Sequence, residues 1–355
     1  MKTKLLLFLV LITAVSAILS CNKDKENASS TDTTPYVLNI PTGFPPANIP
    51  SANPLTVEGV ELGRSLFYDP ILSSNGLTCS SCHQAANAYS SPVFVSNTGD
   101  SISIMQIMNL AFNPNFDWVG KFSTTEEVCM GDFAPEFFNT NMDTLVKRLT
   151  ASTKYKNMFF RAFGTNAFST MSTPDLQMKI VSAIGQFMRT MISADSKYDR
   201  YMRHVENLTA DELNGYALFN TEQGDCFHCH GGPLLTSNGI TNNGLDSIPA
   251  GQNRGRYNFT LNPADDGKFS IPSLRNIALT APYMHDGRYK TLEEVIEFYN
   301  SGVHQTSPNI DPIMTKSFKQ YGLQLSSYEK KCLVDFLKTF TDTAFIHNPA
   351  YQQPN

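Results

Sequence analysis

The chain has 355 residues, 27 of them lysine or arginine against 32 aspartates and glutamates, for a formal net charge of −5. That balance leaves no basic surface of the kind nucleic acid binding needs, and it excludes that class of function. The length suffices for two modest domains, and a mildly acidic surface suits a basic protein partner.

Lys2 and Lys4 precede an apolar stretch from Leu5 to Leu19, followed by Ser20-Cys21. A short charged region, an apolar core and a small residue before the cut describe a signal peptide over residues 1–20. The run falls short of the roughly 20 apolar residues of a membrane-spanning helix. Ile18-Leu19-Ser20-Cys21 reads as a lipobox, which makes Cys21 the acylated first residue of a lipoprotein. The alternative is an ordinary signal peptide that contains a cysteine. Cleavage removes two lysines and no acid, so the formal charge moves from −5 to −7. Residues 21–54 then form a tether: polar and charged from Asn22 to Thr34, then punctuated by Pro35, Pro41, Pro45, Pro46, Pro50 and Pro54. Such a chain is extended.

The first ordered segment carries Gly63-Arg64-Ser65-Leu66-Phe67 and leads to Cys79-Ser80-Ser81-Cys82-His83. Two thiols about one helical turn apart can form thioethers to the vinyl groups of a haem, and the adjacent imidazole can bind its iron. Further on, Leu176 to Met191 has apolar residues at helical spacing (Ile180, Ile184, Phe187, Met188). The pattern then repeats. Thr209-Ala210-Asp211-Glu212 opens a helix as a capping box, Gly215-Tyr216-Ala217-Leu218-Phe219 follows, and Cys226-Phe227-His228-Cys229-His230 closes the unit. The two first cysteines lie 147 residues apart, enough for one domain per motif. A zinc site built from two Cys-x-x-Cys knuckles would leave both trailing histidines without a role. The expected fold is therefore mainly α, with two cytochrome-c-like helical domains over 55–200 and 201–345 and one covalently attached c-type haem in each. His83 and His230 are the iron ligands, and Cys79, Cys82, Cys226 and Cys229 the points of attachment. Covalent haem attachment happens on the exported side of a bacterial membrane, so motifs and signal agree on a periplasmic or cell-envelope protein, lipid-anchored through Cys21.

Of seven cysteines, only Cys129 and Cys332 remain. Cys332 lies in a helical pattern with Leu333, Phe336, Leu337 and Phe340 and is expected as a buried thiol. The oxidising compartment allows a Cys129–Cys332 disulfide, but nothing in the spacing calls for one. Near the end, Thr291 and Glu294 make a capping box, and Leu292, Val295, Ile296 and Tyr299 share one helix face.

By these residues the chain resembles the bacterial dihaem cytochrome c peroxidase family, which includes the MauG-like enzymes, over about residues 41 to 342. The resemblance is carried by Asn53-Pro54-Leu55-Thr56, by Leu62-Gly63-Arg64-Ser65-Leu66-Phe67-Tyr68-Asp69, by both haem motifs and by Pro272-Ser273-Leu274-Arg275-Asn276. Most specific is Leu279-Thr280-Ala281-Pro282-Tyr283-Met284-His285-Asp286-Gly287, followed by Leu292-Glu293-Glu294. It implies that the N-terminal haem meets peroxide and that the C-terminal haem relays electrons. The only tryptophan, Trp118, falls in a segment similar to the family's inter-haem Trp-Asp-Gly-Arg and is expected between the haems; ordinary aromatic burial is the alternative.

Departures from the family pattern shape the remaining expectations. No histidine lies between His83 and His204, so the local chain supplies no blocking ligand to the first iron. Tyr299 stands where the peroxidases place an axial methionine and the MauG-like enzymes an axial tyrosine, so the resemblance makes it the sixth ligand of the second iron. Met284, His285 and a plain core role for Tyr299 are the alternatives. The resemblance also implies a calcium ion between the domains, with backbone carbonyls at Thr280 and Pro282. Its asparagine ligand is replaced by Ser103, a shorter and weaker donor, which weakens the site. The distal glutamine position holds Val128, and the distal acid has a shifted counterpart in Glu136, the candidate proton-transfer base, with a plain exposed loop glutamate as the alternative; Trp118 is the other candidate catalytic residue.

The leading expectation is reduction of hydrogen peroxide to water with electrons from a small cytochrome or other exported donor. MauG-like oxidation of a protein or other substrate through a high-valent dihaem state is the second, and a non-enzymatic dihaem electron carrier the third. A homodimer is compatible with each.

Overall fold

A computed structural model describes residues 33–95, 101–319 and 322–354. The signal peptide, Cys21 and the polar start of the tether lie outside the described residues. Two helical units follow one another, each with its own apolar core.

The first unit is built on α1 (Val57–Tyr68) and α6 (Thr173–Arg189). Thr56 caps α1 by accepting the Gly59 N–H, and Ser172 caps α6 by accepting that of Asp175, so both starts satisfy a backbone donor that would otherwise be orphaned. Leu62, Leu66 and Phe67 of α1 are buried with Leu176, Ile180, Ile184 and Phe187 of α6. The helices approach closely because Gly63 has no side chain: a β-carbon there would sit 1.9 Å from the Ala183 carbonyl oxygen. Around this pair lie α2 (Cys79–Cys82), α3 (Thr125–Gly131), α4 (Met142–Ala151) and α5 (Thr153–Phe163). Strands β1 (Ser91–Val95) and β2 (Ser101–Ile104) pair antiparallel.

The second unit repeats the device. Here α8 (Ala210–Phe219) packs on α12 (Ser327–Lys338), and a β-carbon at Gly215 would lie 2.1 Å from the Cys332 carbonyl oxygen. Gly63 and Gly215 are the matching glycines of the internal repeat, so the repeat preserves one close helix crossing in front of each haem motif. Both α8 and α12 begin with capping boxes, Thr209 with Glu212 and Ser326 with Glu329. Smaller elements complete the unit: α7 (Lys197–Met202), α9 (Phe227–His230), α10 (Tyr257–Thr260), α11 (Leu292–Glu297), and β3 (Ile240–Thr241) paired antiparallel with β4 (Phe269–Ser270). The fold is mainly α, as the haem motifs and helical periodicities imply.

The cores divide the chain differently from the 55–200 and 201–345 partition. Tyr198 of α7, on the N-terminal side of that boundary, already packs on the second core. At the far end, α13 (Thr343–Ile346) and Tyr351 return to the first, where Phe345 is edge-on to Tyr89 at 5.4 Å between ring centres. Motif spacing marks where each haem is attached but carries no information on which core a terminal aromatic joins. Cys129 and Cys332 are free thiols in separate cores. Among the described residues, no helix is long and apolar enough to cross a membrane.

Candidate functional site

The first haem motif begins with a cap. The Thr78 hydroxyl accepts the Ser81 N–H at 3.1 Å and the Ser81 hydroxyl accepts the Thr78 N–H at 3.0 Å, so Cys79-Ser80-Ser81-Cys82 is held as the single turn α2. His83 follows, its N–H donating to the Cys79 carbonyl at 2.9 Å. Its Nδ1 lies 3.0 Å from the Tyr89 carbonyl oxygen. A carbonyl can only accept, so Nδ1 carries the proton and Nε2 keeps the lone pair that a metal needs. Burial pulls the imidazole below its ordinary value, which favours the neutral ring. The second motif is built the same way: His230 N–H donates to the Cys226 carbonyl at 2.9 Å, and Nδ1 lies 3.3 Å from the Leu235 carbonyl oxygen. Burial holds His230 down at about 4. Paired thiols plus a neutral, oriented imidazole at each motif fit a covalently attached haem.

A cavity of about 510 Å³ opens at the first motif, within the usual range of cofactor sites. It is lined by Cys79 and His83, by Val128, Cys129 and Asp132 of the α3 region, and on the far side by second-unit residues such as Thr236 and Pro272. His83 is the only histidine in that lining among the described residues.

Trp118 also lines the cavity, at the junction of the two units. Its indole N–H donates to the Ser103 carbonyl at 2.7 Å, and its own carbonyl accepts the Ser270 N–H of β4 at 2.8 Å. The ring is edge-on to His285 at 6.5 Å, and His285 in turn stacks on Phe269 at 3.7 Å. Arg256 reinforces this junction by donating to the Val119 carbonyl at 2.6 Å.

Ser103, Thr280 and Pro282 meet on the same wall. The Ser103 hydroxyl donates to the Pro282 carbonyl at 3.5 Å, and the Thr280 hydroxyl to the Ile277 carbonyl at 3.2 Å. Calcium takes about 6–8 oxygens. These positions offer two carbonyls and one hydroxyl, the hydroxyl already bonded to one of those carbonyls, so any calcium here would take most of its oxygens from elsewhere, water included.

Glu136 lies elsewhere. Helix α3 ends at Gly131 with Asp132 as its C-cap, and the chain then turns back, the Phe138 N–H donating to the Asp132 carbonyl at 2.9 Å. Glu136 sits on the outside of that turn, exposed and absent from the cavity lining. The acids that do line the cavity are Asp117 and Asp132, neither of them singled out by the sequence pattern. A signal was present: Asp132 follows Val128 by four residues, one turn along the same helix face. Burial pushes the Asp132 carboxyl up to about 7.

A buried ion pair holds α3 in place. Arg189 of α6 donates to Glu126 through Nη1 at 2.7 Å and Nη2 at 2.5 Å, with side chains only 2% and 9% exposed. Asn53 adds a bond to Glu126 at 2.5 Å and accepts one from Gln186 at 2.8 Å. The second unit has a counterpart in Arg275, which grips both oxygens of Asp199 at 2.8 and 2.7 Å.

Tyr299 lies in a π-helical turn, Phe298–Gly302, that continues α11. Such turns redirect side chains and recur at functional sites. Its hydroxyl accepts a bond from Asn243 Nδ2 at 3.1 Å, and burial pushes it up to about 12, with Cys229 and Cys226 near enough to add to the effect. Tyr299 thus faces the second attachment motif. Met284 Sδ is 4.0 Å from the same Asn243 amide, between Tyr299 and the first cavity. His285 is turned to the Trp118 side, with Nε2 2.9 Å from Asn253 Oδ1. His228 points away from the motif to Asp225 and Glu222, at 2.9 and 3.2 Å. Lys316 also lies on both carboxylates, which leaves that trio charge-satisfied rather than metal-like.

Comparison with known proteins agrees with this geometry. A family model described as di-haem cytochrome c peroxidase matches residues 57–207. The methylamine utilization protein MauG of Methylorubrum extorquens is 32% identical over 299 residues, spanning 82% of this chain and 80% of its own. Cytochrome-c peroxidase IdrP2 of Denitromonas iodatirespirans is 30% identical over 330 residues, spanning 82% and 84%. The crystal structure of a MauG-like protein associated with microbial copper homeostasis superposes with a TM-score of 0.80 at 33% identity, over 90% of this chain and 99% of that one. With two oriented haem-attachment motifs, one per helical unit, and relatives matched over most of their length, this chain belongs to the di-haem cytochrome c peroxidase family.

Proposed function

We propose that the protein reduces hydrogen peroxide to water with electrons from a small exported c-type cytochrome. One peroxide consumes two electrons and two protons and yields two waters. The observation that carries the reading is the cavity beside His83, whose lining offers no second histidine to occupy the iron. Bound haem supplies the redox chemistry at that cavity and stores an electron at the second site. The residues do the rest. Cys79, Cys82, Cys226 and Cys229 fix the two groups covalently, while His83 and His230 present Nε2 to each iron, held by their Nδ1 bonds. Trp118, bonded to both units, supports a short path between them. Peroxide-dependent oxidation of a reduced small c-type cytochrome, assayed with the haem-loaded protein and no prior reduction, is expected to turn over rapidly. Absence of turnover with both haems intact would overturn the reading.

Tyr299 favours a second reading. A tyrosine oxygen on the second iron, with Asn243 donating to it, would suit MauG-like oxidation of a protein or other substrate better than electron delivery from a cytochrome. Accumulation of oxidising equivalents with poor cytochrome turnover is the outcome that would select it.

The chain acts on the exported side of the membrane, tethered through Cys21 and the proline-rich segment. A Cys21→Ser chain is expected to lose fatty-acid labelling and to leave the membrane fraction; an unchanged distribution would remove the anchor from this account.

A further inference from the structure

We infer that Asp132 is the catalytic acid–base of the peroxide cavity, in the role that the sequence pattern gives to Glu136. The inference rests on the peroxidase reading and names the group that moves the proton within it. Asp132 lines the cavity together with His83 and Cys79. It stands at the C-terminus of α3, one turn beyond Val128, so both side chains are delivered to the cavity by one helix face.

Its carboxylate is unengaged. Asp132 takes part in two backbone bonds, donating to the Cys129 carbonyl at 3.1 Å and accepting from Phe138 at 2.9 Å, and among the described residues its side chain has no hydrogen bond or ion pair. Asp132 is only partly buried, so its carboxylate meets the cavity rather than a sealed core, and among the described residues no buried side-chain polar atom lacks a partner. A carboxylate in a cleft with no protein group holding it is a functional-site candidate, and desolvation there raises its carboxyl.

The other acids near the cavity are already in use. Asp117 Oδ1 accepts the Val119 and Lys121 N–H groups at 2.8 and 3.1 Å, closing a local turn. Glu126 is held at both oxygens by Arg189. Glu136 faces solvent. Of the two acids in the cavity lining, only Asp132 has neither oxygen in a hydrogen bond or ion pair among the described residues.

The step it performs balances as follows. The carboxylate takes the proton from one peroxide oxygen and gives it to the other. The O–O bond then breaks heterolytically, and the twice-protonated oxygen leaves as water with both bonding electrons. The remaining oxygen becomes the second water with two electrons from the donor cytochrome and two protons, and Asp132 ends as it began. General acid–base groups in this role are worth roughly 10²–10⁴-fold in rate.

The test compares Asp132→Asn and Glu136→Gln in the haem-loaded protein by stopped-flow reaction with peroxide and, separately, with hydrocyanic acid. Cyanide binding to an open iron also requires a base to accept a proton, but it needs no turnover. Asp132→Asn is expected to slow the peroxide reaction at least about 100-fold and cyanide association by about tenfold, while Glu136→Gln leaves both unchanged. Added formate is expected to restore part of the lost rate in Asp132→Ala, which shows that the cavity and haem are intact. Rates for Asp132→Asn within threefold of the parent, for both probes, would overturn the assignment. If the parent binds cyanide quickly but does not turn over peroxide with a cytochrome, the peroxidase reading fails, while the cyanide comparison still reports on Asp132.

Discussion

Arg189→Met is expected to destabilise the haem-loaded protein by about 3–5 kcal/mol at neutral pH, because it strands a buried carboxylate. In the parent, burial alone would raise the Glu126 carboxyl, but the bonds and charge of Arg189, with Asn53, outweigh it and hold the group below its ordinary value. A carboxyl lowered on folding contributes stability that is full above its unfolded value of about 4.3 and is lost as pH falls through the folded value. Removing the guanidinium reverses the sign. Burial is then unopposed, the carboxyl rises, and the penalty grows as pH climbs past the unfolded value. The gap between parent and variant should therefore be widest at neutral pH and narrow toward pH 4. Urea unfolding at both pH values measures it directly. The double variant Glu126→Gln with Arg189→Met should recover much of the loss, since a buried ion pair is worth little over a neutral pair of similar shape. Equal midpoints for parent and Arg189→Met at neutral pH would show that the pair does not hold α3. The effect reaches function because α3 carries Val128 and ends on Asp132.

Tyr299→Met is expected to raise the potential of the C-terminal haem by an amount on the order of 0.1 V or more, leaving the N-terminal haem nearly unchanged. An anionic oxygen favours the ferric state, whereas a thioether favours the ferrous one, and axial ligands span about 0.8 V across haem proteins. The π-turn brings residue 299 toward Cys226 and Cys229, so a methionine there starts from the same backbone position. Spectroelectrochemical titration resolves the two haems. Two unmoved potentials would mean that Tyr299 is a buried core residue and not a ligand, and Met284 would be the next side chain to replace. A raised potential with faster cytochrome turnover would show that this single position sets the balance between the peroxidase and MauG-like readings.

Much of the fold can be read from residues. The capping boxes at Thr209 and Thr291 and the periodicity from Leu176 to Met191 correspond to helices that the structure contains. Both haem motifs are legible because the chemistry depends on strict local spacing. Legibility fades where position depends on how a helix ends. Glu136 follows Val128 at eight residues, two turns on a continuing helix, yet the helix stops at Gly131 and the next turn carries Glu136 to the surface. Asp132 stays at the cavity because it falls at the end of that helix, before the chain turns away. Trp118 is a different case. Its contacts with Ser103 and Ser270 join segments more than a hundred residues apart, and only tertiary structure shows that both units hold it.

The return of α13 and Tyr351 to the first core has a consequence for biogenesis. A polypeptide made N-terminus first presents Cys79 to His83 early but delivers Phe345 and Tyr351 only after the whole of the second haem unit. Until then the Tyr89 ring lacks its Phe345 neighbour, and the Arg64 guanidinium lacks the Pro349 and Gln352 carbonyls that it holds at 2.6 and 2.7 Å. The first haem motif therefore emerges in a domain that is not yet closed. Closure of the first unit thus waits on the last residues of the chain.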